Sequence, residues 1–327
     1  MFHVFGPVPS RRLGKSLGVD PVPFKTCNWN CVYCQLGRTT PVTNERRDYY
    51  PPERIVAEVK EALDSHRPGD IDWITFVGSG EPTLHSSLGS MIRQVKALTD
   101  IPVAVTTNCS LLHQPEVRAE LSAADAVLPS LDAGTDRLYR AINRPHPSCT
   151  FDRLITGLTE FRQAYCGRLW IEVMLIKGMN DSEAALAQIA ALLAQIAPDA
   201  VHISLPVRPP AEPWVEPPGT EGLAYATAIL GDTARIVGPA SKSFGLSRRG
   251  DVGEAVVAVI SRHPMAEEEV MRALDRWTPD EVGKALARLA VDGRAQVVNR
   301  YGVRFWGCSK ARYGTGQRAG SAEEKTL

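Results

Sequence analysis

Three cysteines, Cys27, Cys31 and Cys34, fall within the run Cys27-Asn28-Trp29-Asn30-Cys31-Val32-Tyr33-Cys34. Thiols clustered this closely bind metal or do redox chemistry, and they do so in a reducing compartment. The C-x3-C-x2-C spacing differs from the four-cysteine motifs of ferredoxins. Three thiolates are enough for three irons of a 4Fe–4S cube. The fourth iron then stays open to a substrate, as a catalytic zinc keeps one position free. A zinc site completed by a remote histidine, or a set of buried structural thiols, are the other readings of the triplet on its own. Cys109, Cys149, Cys166 and Cys308 bring the count to seven, an odd number with no further C-x2-C pair. That pattern fits neither a disulfide framework nor a second cluster.

The elements that must position these thiols read as alternating strands and helices. Glu53 to His66 follows Pro51-Pro52 and aligns Ile55, Val56, Val59 and Leu63 on one helical face. Asp72 to Val77 is a short apolar strand that runs into the loop Gly78-Ser79-Gly80-Glu81-Pro82. Leu88 to Leu98 reads as a helix, and Ile101 to Thr107, Asp125 to Leu131, Leu169 to Ile176 and Ala200 to Leu205 read as strands. Ser182 to Ile196 carries the stripe Leu186, Ile189, Leu193 and Ile196, with Asp181 or Ser182 as cap and Pro198 as stop. Such a succession predicts an α/β fold with a parallel sheet and about six βα units, its site lying at the C-terminal ends of the strands. Polar clusters stand at those ends: Gly78 to Glu81, Thr107-Asn108, Ser130-Leu131-Asp132, and Lys177 to Asp181.

Together these motifs resemble those of the radical S-adenosylmethionine (SAM) superfamily. The resemblance covers roughly residues 7 to 205 and implies a partial (β/α)6 barrel. It also implies that Cys27, Cys31 and Cys34 hold a 4Fe–4S cluster whose open iron chelates SAM. Reductive cleavage of SAM would then release a 5′-deoxyadenosyl radical that abstracts hydrogen from a substrate, with a flavodoxin or ferredoxin as electron donor. By the same resemblance Gly78, Ser79, Gly80 and Glu81 match the loop that binds the SAM amino group. Tyr33, Asn108, Ser130, Asp132 and Asn180 match positions that face SAM or substrate. Cys109 stands where glycine is usual; it is either a hydrogen-atom donor to a substrate radical or a small residue without a role. Arg11 and Arg12 either pair with the SAM carboxylate or a substrate phosphate, or are solvated loop residues. Gly6 to Val19, Lys25 to Gln35 and Ser130 to Pro145 resemble a branch similar to the core of the wybutosine tRNA-modifying enzymes and to the molybdenum-cofactor enzyme MoaA. A tRNA-base-modifying activity is therefore one alternative function.

Residues 206–219 include six prolines and read as a stiff strap, either a linker or a lining of the barrel mouth. The expected division is a barrel over residues 1–235, a winged-helix-like domain over 250–308, and a disordered tail over 309–327. The winged-helix reading rests on helices at Gly253 to Arg262, Ala266 to Leu274 and Thr278 to Leu289, then a hairpin around Tyr301-Gly302. Asp280 and Glu281 would repel phosphates at the start of the third helix, whereas Arg248, Arg249, Arg300 and Arg304 would attract them. An iron–sulfur sensor binding nucleic acid is thus a second alternative, less favoured than a docking role. The 37 basic and 37 acidic residues cancel, which argues against a whole-molecule hold on nucleic acid. With no apolar run of membrane-spanning length and no visible secretory signal, the expected location is the cytoplasm, without a membrane partner.

Overall fold

A computed structural model describes residues 3–10, 12–238, 251–274 and 276–315. Strand β1 (Val4–Ser10) turns back into β2 (Gly14–Val19). A long loop then leads to α1 (Pro52–Asp64), β3 (Trp73–Phe76), α2 (Leu88–Leu98), β4 (Val103–Thr107) and α3 (Pro115–Leu121). The chain continues through β5 (Ala126–Pro129), α4 (Asp136–Ile142), α5 (Phe151–Ala164), β6 (Arg168–Met174), α6 (Glu183–Ile196), β7 (Ala200–Ser204), α7 (Thr220–Leu230) and β8 (Ala234–Ile236). The strands pair in chain order: β1 is antiparallel to β2, and each following pair is parallel. The six helical crossovers from β2 to β8 make the expected partial (β/α)6 barrel.

Local sequence accounts for most of these elements. Ser182 caps α6 by accepting from the Ala185 N–H, and Thr150 caps α5 in the same way from Arg153. Leu186, Ile189, Leu193 and Ile196 are buried as the stripe requires. Strand β1 carries two prolines, Pro7 and Pro9. Both are tolerated because β1 is the edge of the sheet, where a missing N–H breaks no ladder on its outer side.

One hydrophobic core fills the space between sheet and helices, with Phe76, Met91, Leu158, Ile171 and Leu186 fully buried. A smaller cluster of Leu13, Ala104, Ala126 and Leu128, flanked by Trp73 and Trp170, plugs the inner face near the strands' N-terminal ends. The polar clusters lie at the opposite end, at the strands' C-terminal ends.

The C-terminal unit has its own core of Val256, Ile260, Val270, Leu274, Val282, Leu286, Leu289 and Trp306. It comprises α8 (Val252–Ile260), β9 (Met265–Ala266), α9 (Glu267–Ala273), α10 (Pro279–Val291), β10 (Ala295–Arg300) and β11 (Val303–Cys308). Its sheet runs β10-β11-β9, and the expected Thr278–Glu281 capping box opens α10. The proline-rich strap packs against both units: the Glu212 N–H donates to Val32 O, and Arg300 of β10 donates to the carbonyls of Pro206 and Val215. Residues 309–315 also pack, with Tyr313 Oη donating to Gln35 O over 2.9 Å; the rest of the tail lies outside the described residues, as do Arg11, Arg248 and Arg249. No helix among the described residues is long and apolar enough to cross a membrane.

Candidate cofactor site

The loop after β2 carries the three cysteines across the C-terminal ends of the strands. Backbone bonds pin it on two sides. On one, Lys25 N donates to Ser79 O (2.7 Å) and Glu81 N to Thr26 O (2.9 Å); on the other, Val32 N donates to Ile142 O (2.9 Å). Trp29 anchors the middle, buried edge-to-face against Tyr139 at 5.3 Å between ring centroids.

Each thiol faces its own N–H donor. Cys27 Sγ accepts from Asn108 Nδ2 (3.7 Å) and the Trp29 backbone (3.4 Å), Cys31 Sγ from Asn143 Nδ2 (3.7 Å), and Cys34 Sγ from Lys25 Nζ (3.1 Å). Donors aimed at sulfur favour the thiolate. Burial, with the Glu81 charge behind it, pushes the Cys27 thiol up to about 12. Burial and then the neighbouring Cys27 and Cys34 push the Cys31 thiol well above its ordinary value. Burial lowers the Lys25 pKa, but the charges of Cys34 and Cys27, the hydrogen bond to Cys34 and the charge of Cys31 outweigh it and raise the pKa overall. Three crowded sulfurs and one fixed ammonium thus form a nest that a positively charged group would complete. Among the described residues no three His, Cys, Asp or Glu side chains converge tightly enough to grip a single ion. A zinc ion needs sulfurs at about 2.3 Å, whereas a cube offers each thiolate its own iron.

The Gly78-to-Pro82 loop after β3 lies directly beneath. Its glycines are required by close approach: a Cβ on Gly80 would run into the Thr26 carbonyl, and one on Gly78 into the Asp20 carboxylate. Asp20 receives the Ser79 hydroxyl (2.7 Å), the Ser79 N–H (3.1 Å) and Arg262 Nε (3.0 Å). Glu81 is buried and turned inward. Its Oε1 accepts from Thr83 N (3.0 Å), Thr83 Oγ1 (2.6 Å) and Thr107 Oγ1 (2.6 Å), and its Oε2 from Asn108 N (2.7 Å). Burial nevertheless raises its pKa. Glu81 therefore ties the loop to the end of β4.

Asp132 and Asn180 have the same character. Asp132 accepts from Tyr33 Oη (2.5 Å), Asn143 Nδ2 (2.7 Å) and Met174 N (2.8 Å), and burial raises its pKa despite these donors. It links Tyr33 of the cysteine loop to β6. Asn180 donates to the carbonyls of Asp132 and Met174 (both 2.8 Å) and accepts from Ile176 N (2.7 Å). Both side chains are consumed by the scaffold. Asn108 and the half-buried Ser130 stay at the surface of the site, Asn108 touching Cys27. Cys109 sits in the core at φ 56°, and its Sγ donates to Ser130 O (3.3 Å). The left-handed backbone is the physical reason glycine is usual there. Arg12 is neither a solvated residue nor at the cysteine loop: it enters the barrel and pairs with Glu172 of β6.

Lys25, Asp20 and Asn143 touch the cysteine and glycine loops and were passed over by the sequence reading. Lys25 carried a signal, standing two positions before Cys27; Asp20 and Asn143 carried none, since their partners are distant in the chain.

Comparison with known proteins shows the family. The family model described as Radical SAM superfamily matches residues 22–190. A UPF0026 protein of Methanocaldococcus jannaschii is 36% identical over 282 residues, covering 84% of this chain and 87% of that one. A protein of Brachyspira hyodysenteriae named GTPase Obg is 46% identical over 201 residues, 62% of this chain; the chain spans only 29% of that relative's length. A radical SAM methyltransferase from Sphaerobacter thermophilus aligns with a TM-score of 0.50 and 21% identity over 68% of this chain and 65% of that one, a likeness of fold.

Proposed function

The chain belongs to the radical SAM superfamily of enzymes, which work with a 4Fe–4S cluster and SAM, and from that premise we propose that Cys27, Cys31 and Cys34 hold the cluster through three of its irons. The observation that carries the assignment is the separate N–H donor at each sulfur, from Asn108, Asn143 and Lys25. Bound there, cluster and SAM would supply the electron and the radical hydrogen-abstraction chemistry. The chain's residues bind and orient. The Gly78-to-Gly80 backbone lies close beneath the cysteine loop to receive the SAM amino group, and Asn108 and Ser130 offer side chains on the site's surface. Glu81, Asp132, Asn180 and Tyr33 act as positioning residues, fixing the loops through their buried bonds. Lys25 balances negative charge at the sulfurs. A small flavodoxin or ferredoxin is the electron donor this chemistry calls for, and the cytoplasm is the reducing compartment it requires.

The C-terminal unit, read as a winged helix, serves this site as a clamp. Gln35, next to Cys34, donates to Arg262 O (3.3 Å), meets His263 Nδ1 (3.1 Å) and accepts from Arg208 (3.2 Å). Four of its basic residues have partners within the protein: Arg300 is buried against the strap, Arg304 pairs with Glu267, and Lys284 and Arg288 pair with Asp280 and Asp292. Clamping is favoured over nucleic-acid reading for that reason.

The test is anaerobic. Protein reconstituted with iron and sulfide, reduced and given SAM, is expected to form 5′-deoxyadenosine, and Cys31→Ala is expected to lose both the product and the bound iron. Full iron retention in Cys31→Ala would overturn the ligand assignment.

A further inference from the structure

The cofactor loops leave unused a row of residues on the inner face of the sheet. Ser130 bridges in register to Glu172, Glu172 pairs with His202, and His202 pairs with Arg235. Registered partners on parallel strands point to the same face. Burial identifies that face. On β6, Leu169, Ile171 and Val173 are fully buried under the helices, while Trp170, Glu172 and Met174 keep solvent contact. On β7, Val201 and Ile203 are buried, while His202 and Ser204 are not. The half-exposed set therefore faces the lumen, and solvent reaches it. Arg12 enters the same space to pair with Glu172.

The groups facing His202 are Arg12, Arg235 and Glu172, with the Trp170 ring 5.8 Å away between centroids. Burial, then the charges of Arg12 and Arg235, hold the imidazole down at about 4, so it is neutral near pH 7. Its Nδ1 is buried and has no hydrogen-bond partner among the described residues. Arg235 has no ion-pair partner among the described residues. Two guanidiniums against one carboxylate leave a single positive charge beside an unpartnered imidazole nitrogen. That set suits one oxyanion, held by charge-assisted hydrogen bonds.

We propose that Glu172, His202 and Arg235, with Arg12 below and Ser130 toward the cofactor loops, form the substrate subsite of the lumen, and that it takes an oxyanion, the carboxylate or phosphate of a small substrate. The assignment of substrate rests on the radical SAM reading; the anion site itself does not. Glu172 neutralises and orients Arg12, His202 donates from Nδ1, and Arg235 closes the open edge of the sheet.

The experiment follows histidine resonances in the reconstituted protein carrying 15N-labelled histidine, titrated separately with inorganic phosphate and with acetate. His202 is assigned by its loss in His202→Gln. The expected result is a saturable shift of His202 and a rise in its pKa of about one unit or more, with the other six of the seven histidines unmoved. Arg235→Gln is expected to weaken binding about tenfold, the loss of one charged hydrogen bond. A response to phosphate alone identifies a phosphate group, and a response to acetate alone a carboxylate. No response to either ion, an equal response at all histidines, or full binding by Arg235→Gln would overturn the proposal. If wild-type protein cleaves SAM but His202 ignores both ions, only the subsite falls. If it binds the ions but never cleaves SAM, the radical reading falls and the anion site stands.

Discussion

Gly80→Ala is a one-methyl test of how the cysteine loop is held. An added Cβ would meet the Thr26 carbonyl oxygen, with the Thr26 carbonyl carbon at 2.7 Å and Val22 Cγ2 at 3.0 Å. Backbone and a β-branched side chain cannot yield as a flexible side-chain end would, so the Thr26 peptide must move. That carbonyl accepts from Glu81 N at 2.9 Å, and the next residue is Cys27. Overpacking a close contact costs about 1–3 kcal/mol, and leaving the buried Glu81 N–H without its acceptor adds about 1–3 kcal/mol. The sum, about 2–6 kcal/mol, should lower the melting temperature by at least about 3 °C in a chain of this size. Displacement of Cys27 should also reduce bound iron after reconstitution. Melting and iron content are measured on the same preparation, with Gly283→Ala as control: nothing lies within 4 Å of a Cβ there, so a helical alanine should be neutral or stabilising by up to about 1 kcal/mol. Wild-type melting together with wild-type iron in Gly80→Ala would refute the view that the two loops touch at this glycine.

Two further outcomes follow from the charged contacts. Arg262→Ala removes the ion pair to Asp20 and the cation–π contact over Phe5 at 4.6 Å, leaving Asp20 buried without its cation; a loss of about 3 kcal/mol is expected, with faster amide exchange in residues 251–274 by mass spectrometry, and unchanged exchange there would count against the clamp. Burial opposes ionisation of Glu212, yet the hydrogen bonds of Arg38 and Arg144 win and hold its carboxyl below the ordinary 4.5. A depressed carboxyl contributes stability that is present above its unfolded value and lost as pH falls through the folded one. Glu212→Gln should therefore be less stable than wild type near neutral pH and lose less on acidification; parallel urea curves at about pH 7 and about pH 3 check this, and equal acid sensitivity would contradict it.

Much of the scaffold was legible in the chain. Helix α2 spans Leu88–Leu98 as its apolar spacing indicates, and α6 begins after its Ser182 cap. Periodicity and capping are local, so sequence exposes them. Strand β1 was hidden because Pro7 and Pro9 are compatible with a strand only at a sheet edge, and edge position is a property of the whole sheet. The tract from Leu169 to Ile176 reads as one apolar run, which conceals that Glu172 alternates onto the inner face.

The cysteine spacing and the loop from Gly78 to Glu81, with the other strand-end motifs, carried the resemblance to the radical SAM superfamily, because short motifs of fixed spacing are local and visible in the chain. Which polar residues touch a ligand and which hold the scaffold was another matter. Glu81, Asp132 and Asn180 match ligand positions by resemblance, and the structure adds that they hydrogen-bond Thr107, Asn143 and the Met174 backbone. Arg12 looks like a loop cation, yet it lies in the lumen against Glu172. A side chain's donors and acceptors are allotted by neighbours that are distant in sequence and adjacent in space, and only folding brings those neighbours together.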